Sequence, residues 1–386
     1  MNITLDLSPA VHRHAGLGRY ASELLTAMLA VAPEHAYRTV YYAPQGTERP
    51  APPLDRLPAQ ALRLGPKPWR MSVLLADYLG VNMDRWVPAG DVFHGTDHLL
   101  PRFKHSRTVF TIHDLIYLFY PQYHLPLNRW FLTLMLPRFL RRADAVIAVS
   151  EHTRRDVMQH MRIPEEKITV IYEGANPAYR PLHDPAAVAA VRARYGMPER
   201  YLLFFSTIEP RKNLAALLGA YRALLAQPGD WPQLVVAGRK GWLYEPIFAR
   251  VKALGLEARV TFTDWVAEAD APALMNGAEL FVYPSFYEGF GLPPLEAMAC
   301  GVPVVASSAS SIPEIVGDAG LLVPPTDEAG LMEAMQAALT DPQLRANMRA
   351  RGLARAQTFT WEAAARATLK VYAQVVEQRG RHARRA

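Results

Sequence analysis

The strongest constraint on the fold is the alternation of short runs rich in branched and aromatic residues with longer stretches of helical periodicity. In the C-terminal half, strand-like runs at 201–206, 233–237, 259–262, 280–283 and 302–306 are separated by helical patterns. Such alternation is typical of parallel βαβ units. The sequence therefore predicts an α/β fold, with a doubly wound parallel sheet in this half.

The N-terminal half repeats the alternation less regularly, with strand-like runs at 3–7, 38–42, 91–94, 108–112, 145–149 and 168–172. Because 386 residues exceed the size of one ordinary hydrophobic core, we expect two Rossmann-like domains. We expect the domains to cover residues 1–180 and 181–358. Residues 359–386 are expected to form a helix and a basic tail, and the sequence leaves open whether this helix packs on its own domain or on the first.

Composition limits which cellular compartments and which binding partners are expected for this protein. The single cysteine, Cys300, excludes an internal disulfide framework, and the chain has neither a signal-peptide pattern nor an apolar run of about 18 residues. We therefore expect a cytoplasmic protein. The net charge of +6 favours anionic partners without distinguishing among them.

Two carboxylates lie in the segment that follows the strand at 280–283. Residues 284–296 (PSFYEGFGLPPLE) lead directly into a helix, and the glycines at 289 and 291 allow close approach to backbone N–H groups at its start. Helix N-termini attract anions, and Glu288 and Glu296 can accept hydrogen bonds from sugar and ribose hydroxyls. The alternative is that Glu288 caps the helix and Glu296 lies on its solvated face.

A second turn, at 207–213 (TIEPRKN), places Arg211 and Lys212 beside a helix N-terminus. The helix dipole disfavours cations there, so their placement needs a reason. A bound diphosphate supplies one, because both cations and the helix N–H groups would face negative charge. A solvated basic corner is the alternative for this turn taken alone.

These segments resemble those of a known family. Residues 288–296 are similar to the motif of retaining GT-B glycosyltransferases in which seven residues separate two glutamates, and residues 210–213 (PRKN) resemble the diphosphate-binding turn of glycosyltransferase family 4. Further similarity lies at 16–20 (GLGRY), 111–115 (TIHDL) and 150–153 (SEHT), so it covers nearly the whole chain in order. The resemblance implies two Rossmann-like domains facing each other across a cleft, with residues 1–180 on the acceptor side and residues 181–358 binding the nucleotide sugar.

The resemblance also implies roles for residues of the second domain. Glu288 would bind hydroxyls of the donor sugar, and Glu296 would bind the ribose of the nucleotide. Arg211 and Lys212 would hold the diphosphate. The remaining donor contacts would come from the backbone of Gly289, Phe290, Gly291 and Leu292.

In the first domain, the resemblance places His113 near the reacting sugar, while Gly16 and Gly18 would let the domain close on the phosphates. It implies retaining transfer of a hexose from a nucleotide-diphosphate sugar to a hydroxyl of a glycan or lipid-linked acceptor. No cofactor or metal is expected, because cations and helix N-termini can stabilise the leaving diphosphate. No Asp-x-Asp turn lies where its carboxylates would bind magnesium beside the substrate phosphates.

Similarity of residues 16–25, 111–115 and 238–245 to bacterial polysaccharide mannosyltransferases makes GDP-mannose the first donor to test. A UDP-sugar with glucosyl or N-acetylhexosaminyl transfer is the alternative. An NAD(P)-dependent oxidoreductase is more distant: residues 16–21 fit G-x-G-x-x-A, but residues 8–15 separate them from the strand.

Two further readings concern metals and surfaces. His94 and His98 are four residues apart, but they fall at a strand end and in a loop, so ordinary loop histidines are expected instead of zinc ligands. No nucleic-acid module is recognised.

The segment 129–142 combines aromatic residues, leucines and arginines. It can be interpreted as a helix that lies on an anionic membrane, at the inner face of the cell membrane, or as a packed helix with a basic exposed edge.

Overall fold

The computed structural model describes residues 1–12, 14–88 and 90–383, apart from the side chains of Ala15 and of residues 379–383. The chain forms two compact units, one of Met1–Gly174 with Trp361–Ala386 and the other of Ala175–Thr360. Of the expected basic tail, Arg384 and Arg385 lie outside the described residues, as do the side chains of Arg379 and Arg381.

The first unit contains a seven-stranded parallel sheet with the order β3-β2-β1-β4-β5-β6-β7. Its strands are β1 (Asn2–Asp6), β2 (Ala36–Tyr42), β3 (Ala59–Leu62), β4 (Val92–Gly95), β5 (Arg107–Ile112), β6 (Ala145–Ala148) and β7 (Ile168–Val170). Its helices are α1 (Ser8–Val11), α2 (Ala15–Val31), α3 (Pro66–Leu79), α4 (Ile116–Phe119), α5 (Pro126–Arg142) and α6 (Glu151–Met161).

The second unit contains a six-stranded parallel sheet with the order β10-β9-β8-β11-β12-β13. The strands are β8 (Tyr201–Phe205), β9 (Gln233–Ala237), β10 (Val260–Asp264), β11 (Leu280–Tyr283), β12 (Val304–Ser307) and β13 (Leu321–Val323). The helices are α7 (Pro185–Arg194), α8 (Leu214–Leu224), α9 (Glu245–Ala253), α10 (Ala271–Asn276), α11 (Leu292–Ala299), α12 (Ile312–Val316), α13 (Glu328–Thr340) and α14 (Pro342–Ala356).

The last helix, α15 (Trp361–Ala383), packs against α2 of the first unit. Trp361 lies at its start, with its ring 5.9 Å from the ring of Tyr20. Thus the first unit is built from both ends of the chain. The core of this unit is aromatic and aliphatic, with Phe93, Phe110 and Phe139 fully buried.

Both sheets confirm the alternation of strands and helices seen in the sequence. Parallel strands are buried on both faces, so each appears in the sequence as a continuous apolar run. The differences are elements that the sequence analysis did not predict. Strand β3 and helix α3 fill residues 59–79, and α13 and α14 follow β13. Helix α7 (Pro185–Arg194) is another such element, in a stretch for which the sequence analysis predicts neither helix nor strand. It begins with Pro185, whose fixed φ suits a first helical turn.

Candidate active site

The turns that carry the predicted donor site follow neighbouring strands of the second sheet. Strand β8 pairs with β11, and from this pair the chain runs outward in both directions. Such a reversal of strand order opens a crevice beyond the carboxyl ends of the two strands, which is where open α/β sheets bind ligands. Residues 206–213 and 284–291 lie at this position.

Backbone and side-chain hydrogen bonds join the two turns. The N–H of Phe286 donates to the carbonyl of Arg211 over 2.9 Å, and the Ser285 hydroxyl donates to the same carbonyl over 3.1 Å. Asn213 has a left-handed backbone with φ of 57°, and its amide donates to the Pro284 carbonyl over 3.0 Å. The backbone that carries the cations is therefore fixed to the backbone that carries Glu288.

The carboxylate of Glu288 forms the centre of the site and is only 7% exposed. Its Oε1 lies 2.7 Å from Nζ of Lys212 and accepts hydrogen bonds from the hydroxyls of Ser285 (2.6 Å) and Tyr283 (2.9 Å). Its Oε2 lies 2.9 Å from Nη1 of Arg211. The structure thus brings together Arg211, Lys212 and Glu288, three of the predicted site residues.

Electrostatics favour the ionised form of Glu288. Burial disfavours the Glu288 carboxylate, but Arg211 and Lys212 outweigh burial and lower its pKa to about 2. Because the folded-state pKa is depressed, the stabilisation is present above the ordinary carboxyl pKa of about 4.3 and is lost as the pH falls toward 2. Burial, followed by the charge of Arg211, lowers the pKa of Lys212 against the opposing effect of Glu288.

Helix α11 begins at the same turn. Gly291 precedes it with φ of 119°, a backbone conformation that favours glycine, and a Cβ there would lie 2.9 Å from Cδ1 of Ile312, so that side chain would have to shift. The hydroxyl of Ser311 donates to the carbonyls of Glu288 and Phe290 over 2.9 and 2.7 Å, which fixes the approach to the helix.

The remaining predicted residues of this site lie along the same segment. Phe290 and Leu292 are buried at the start of α11, next to Gly289. Glu296, inside α11, is 2% exposed. The alternative of a solvated Glu296 and a helix-capping Glu288 is therefore wrong, because tertiary contacts bury both side chains.

His113 follows β5 in the first unit and is held by acceptors on both ring nitrogens. Its Nε2 lies 3.0 Å from the Thr96 carbonyl, and its Nδ1 lies 3.6 Å from Oε1 of the buried Glu173. The ring of Tyr20 meets the imidazole edge-on at 4.7 Å. Burial opposes the charge of His113, but Glu173 and the Thr96 carbonyl raise its pKa overall.

The motif at 150–153 positions the same loop. The Ser150 side chain accepts a hydrogen bond from the backbone N–H of Thr153 over 3.0 Å and so caps helix α6. The Thr153 hydroxyl then donates to the carbonyl of His113 over 3.0 Å. The backbone of His113 is therefore fixed independently of its side chain.

Beneath His113, a buried chain of hydrogen bonds reaches helix α15. The hydroxyl of Tyr20 lies 2.7 Å from Oγ1 of Thr111, which lies 2.7 Å from Nε2 of His94. Nδ1 of His94 lies 2.6 Å from the hydroxyl of Tyr372. Burial, and then the proximity of His113, lowers the pKa of His94 to about 3, so His94 stays neutral.

The two predicted glycines of the first unit lie in the first turn of α2. A Cβ on Gly18 would approach the Pro9 carbonyl oxygen to 2.8 Å, so this glycine allows α2 to pack closely on α1. Gly16 has open space around its Cβ position. Helix α1 stands between β1 and these glycines, so they do not form the tight strand-to-helix turn of a dinucleotide-binding fingerprint.

The sequence analysis did not identify several residues that contact Glu288, Arg211 or His113. Tyr283 and Ser285 bind Glu288, and Glu209 lies 2.6 Å from Nε of Arg211 through its Oε1. Glu173 pairs with His113. Tyr283 and Ser285 adjoin the glutamate motif, but no local pattern signals Glu173, which is 60 positions from its partner.

Comparisons with known proteins agree with this architecture. The family model described as Glycosyltransferase Family 4 matches residues 15–179, and the model described as Glycosyl transferases group 1 matches residues 192–355. O-antigen chain mannosyltransferase B of Escherichia coli is 33% identical over 96% of this chain and 99% of its own length. Together with the two doubly wound sheets, these matches define a GT-B glycosyltransferase.

The chain belongs to glycosyltransferase family 4. Other relatives are named for other activities. D-inositol 3-phosphate glycosyltransferase of Kineococcus radiotolerans is 35% identical over 61% of this chain and 58% of its own length. The structure of sucrose-phosphate synthase from Thermosynechococcus elongatus superposes with a TM-score of 0.78 at 23% identity, covering 98% of this chain and all of that one. This last likeness concerns the fold alone.

The contacts of His113 predict the effect of replacing Glu173 with glutamine. Without the carboxylate, burial dominates, and the pKa of His113 should fall. In the wild type, the charged imidazole of His113 stabilises the folded state at pH values below the ordinary histidine pKa of about 6.5. This stabilisation is lost as the pH rises through the raised pKa of His113 in the folded state. An NMR titration of the imidazole, assigned with a His113→Gln sample, measures both values. An unchanged pKa in Glu173→Gln would contradict the ion pair.

Proposed function

We propose that this glycosyltransferase moves mannose from GDP-mannose to a hydroxyl of a glycan or lipid-linked acceptor, with retention of configuration and without a metal ion. The observation that carries the proposal is the pair of cations, Arg211 and Lys212, held by a buried carboxylate at the β8–β11 crevice. Donor identity is supported by the O-antigen mannosyltransferase, which aligns with nearly the whole of this chain.

The cation pair suits a leaving diphosphate. When the bond from the anomeric carbon to the phosphate oxygen breaks, negative charge grows on the nucleoside diphosphate. Lys212 is 5% exposed and the side chain of Arg211 is 21% exposed, so both act where water screens little. Glu288 holds them in place before the donor binds, which reduces the ordering that binding would otherwise require.

The same groups account for transfer without a metal. Two fixed cations and the N–H groups at the start of α11 offset phosphate charge, which is the role that magnesium has in many nucleotide sites. For retention, the acceptor oxygen attacks the anomeric carbon from the face that the diphosphate leaves. The departing phosphate oxygen takes the acceptor proton, so the products are the glycoside and the nucleoside diphosphate.

A panel of sugar nucleotides tests the donor and the metal together. We expect GDP-mannose to raise the melting temperature most and to be consumed in the presence of EDTA, since no step needs a divalent ion. Calorimetric thermal shift and release of nucleoside diphosphate measure these outcomes, and NMR of the product reports the anomeric configuration. Preference for a UDP-sugar would contradict the donor assignment, and loss of turnover in EDTA would contradict metal independence.

The charge of Glu288 can be tested by Glu288→Gln, which keeps the shape of the side chain. Because a neutral amide would replace the carboxylate that holds Arg211 and Lys212, kcat/KM should fall roughly 100-fold or more. The control is Glu268→Gln, because Glu268 is exposed and is not one of the residues described around Glu288 or around His113. Circular dichroism melts establish which variants are folded at the assay temperature. Wild-type turnover by folded Glu288→Gln would refute the role.

We further propose that the first unit contacts an anionic membrane through helices α3 and α5. Most apolar residues of the segment 129–142 face the core, as a packed helix requires. However, Trp130 of α5 is 55% exposed, and α3 adds an outward apolar face. The exposed members of this patch are Met71, Leu75, Tyr78, Leu79, Leu125, Leu127 and Trp130.

Arginines accompany the patch. Arg129, Arg138 and Arg141 are exposed on α5, and Arg138 lies over the ring of Tyr78 while pairing with Asp77 of α3 at 3.2 Å. Apolar side chains mixed with arginines favour binding at the surface of an anionic bilayer. No described helix combines the length and hydrophobicity that crossing a bilayer requires.

Flotation with vesicles containing phosphatidylglycerol tests this contact. The wild type should float and Trp130→Ala should float less, because the ring would be buried at the interface. Trp265→Ala of the second unit is the matched control, since Trp265 is 51% exposed and outside the patch. If the wild type stays with the unbound fraction, or if both variants float equally well, the contact is refuted.

A further inference from the structure

Lys212 contacts a second acceptor besides Glu288, the hydroxyl of Tyr283. Nζ of Lys212 lies 2.8 Å from this hydroxyl and 2.7 Å from Oε1 of Glu288. The Tyr283 hydroxyl lies 2.9 Å from the same Oε1, so the three groups form a closed triangle. Lys212 is 5% exposed and Tyr283 is fully buried, so water has little access to these bonds.

The chemistry of the three groups determines which of them donates in each bond. A carboxylate only accepts, and an ammonium only donates. Lys212 therefore donates to both partners, and the hydroxyl of Tyr283 accepts from Lys212 while it donates to Glu288. Burial, and then the charge of Glu288, raises the pKa of Tyr283 well above its usual value, so the phenol keeps the proton that it donates.

The phenol of Tyr283 is held by the sheet. Tyr283 is the last residue of β11, and its ring stacks on Phe281 of the same strand and on Phe204 of β8, at centroid distances of 5.9 and 6.1 Å. All three rings are fully buried. Packed strands therefore set the position of the hydroxyl, whereas Lys212 lies in the turn after β8 and has a long, flexible side chain.

We propose that Tyr283 is a positioning residue that fixes the ammonium of Lys212 for the diphosphate of the donor. An ammonium has three N–H bonds. Tyr283 and Glu288 use two of them, and no other described residue offers Nζ an acceptor within hydrogen-bond distance. Because these bonds are tetrahedral, two fixed acceptors also fix the third N–H, which is left for a phosphate oxygen. This inference rests on the proposed role of Lys212.

Ser285 separates this role from one that acts through Glu288 alone. Its hydroxyl lies 2.6 Å from Oε1 of Glu288, but it is not an acceptor of Lys212. If Tyr283 only held the carboxylate, Tyr283→Phe and Ser285→Ala would affect Lys212 equally. If Tyr283 fixes the ammonium, only Tyr283→Phe removes an acceptor of the charged form and lowers the pKa of Lys212. The other charged groups near Lys212, which are Arg211, Glu209 and Glu288, are the same in both variants.

Kinetics of the full chain test the proposal, with Tyr201→Phe as the matched control. Tyr201, at the start of β8, is equally buried, and its hydroxyl donates to the Leu274 carbonyl over 2.7 Å. For the donor that the wild type uses, Tyr283→Phe should lower kcat/KM roughly 10-fold or more. The alkaline limb of kcat/KM, where Lys212 loses its proton, should move down by about one pH unit. Tyr201→Phe should change neither quantity.

NMR of labelled lysine side chains, assigned with a Lys212→Arg sample, reports the pKa of Lys212 without any donor. We expect a lower pKa in Tyr283→Phe than in the wild type, Ser285→Ala and Tyr201→Phe. An unchanged pKa in Tyr283→Phe, or an equal fall in Ser285→Ala, would overturn the inference. Circular dichroism melts establish which variants are folded at the assay temperature.

Two further results separate this inference from the proposed function. Wild-type kcat/KM in folded Tyr283→Phe, together with an inactive Lys212→Ala, would overturn the role of Tyr283 alone. Wild-type turnover by Lys212→Ala would refute the proposed role of the cations, while the pKa comparison would still test the contact with Tyr283. A test without variants is the wild type bound to its donor, in which Nζ should gain a phosphate oxygen and keep Tyr283. Loss of the Tyr283 contact there would also overturn the inference.

Discussion

The second unit depends on one buried interaction, the contact of the Glu288 carboxylate with Lys212 and Arg211. Taking these charges out of water is expensive, and removing one partner of a buried pair costs about 3–5 kcal/mol because a charge is left uncompensated. The three side chains come from two turns that follow adjacent strands. The ion pairs therefore fix the two turns to each other, and the fold in turn keeps the cations at the crevice.

The first unit uses a different arrangement for its candidate residue. His113 is held by two acceptors, and its backbone is tied to the cap of helix α6 through Thr153. Beneath it, neutral His94 connects β4 to Tyr372 of the C-terminal helix. Helix α15 thus contributes to the layer that supports the His113 loop, and it packs on α2, whose first turn carries Gly16 and Gly18.

The two parallel sheets and the turns after β8 and β11 could be predicted from the sequence, because their signals are local. These signals are the strand-like apolar runs, the glycines and prolines of the turns, and the cations beside a helix N-terminus. It missed helix α3, whose opening prolines look like a loop and whose apolar face is partly exposed. It also missed the partner of His113 and the link from His94 to Tyr372, since contacts across 60 and 278 positions leave no local pattern. The burial of Glu296 likewise arises only from tertiary packing.

From the geometry of the crevice we expect the cations held by Glu288 to bind the diphosphate of the donor. A crystal structure of the chain soaked with GDP-mannose tests it most directly. We expect phosphate oxygens within hydrogen-bond distance of Arg211 and Lys212, and of the backbone N–H groups that begin α11. Diphosphate bound away from Lys212 and Gly291, or coordinated to a divalent ion without which the donor does not bind, would contradict it.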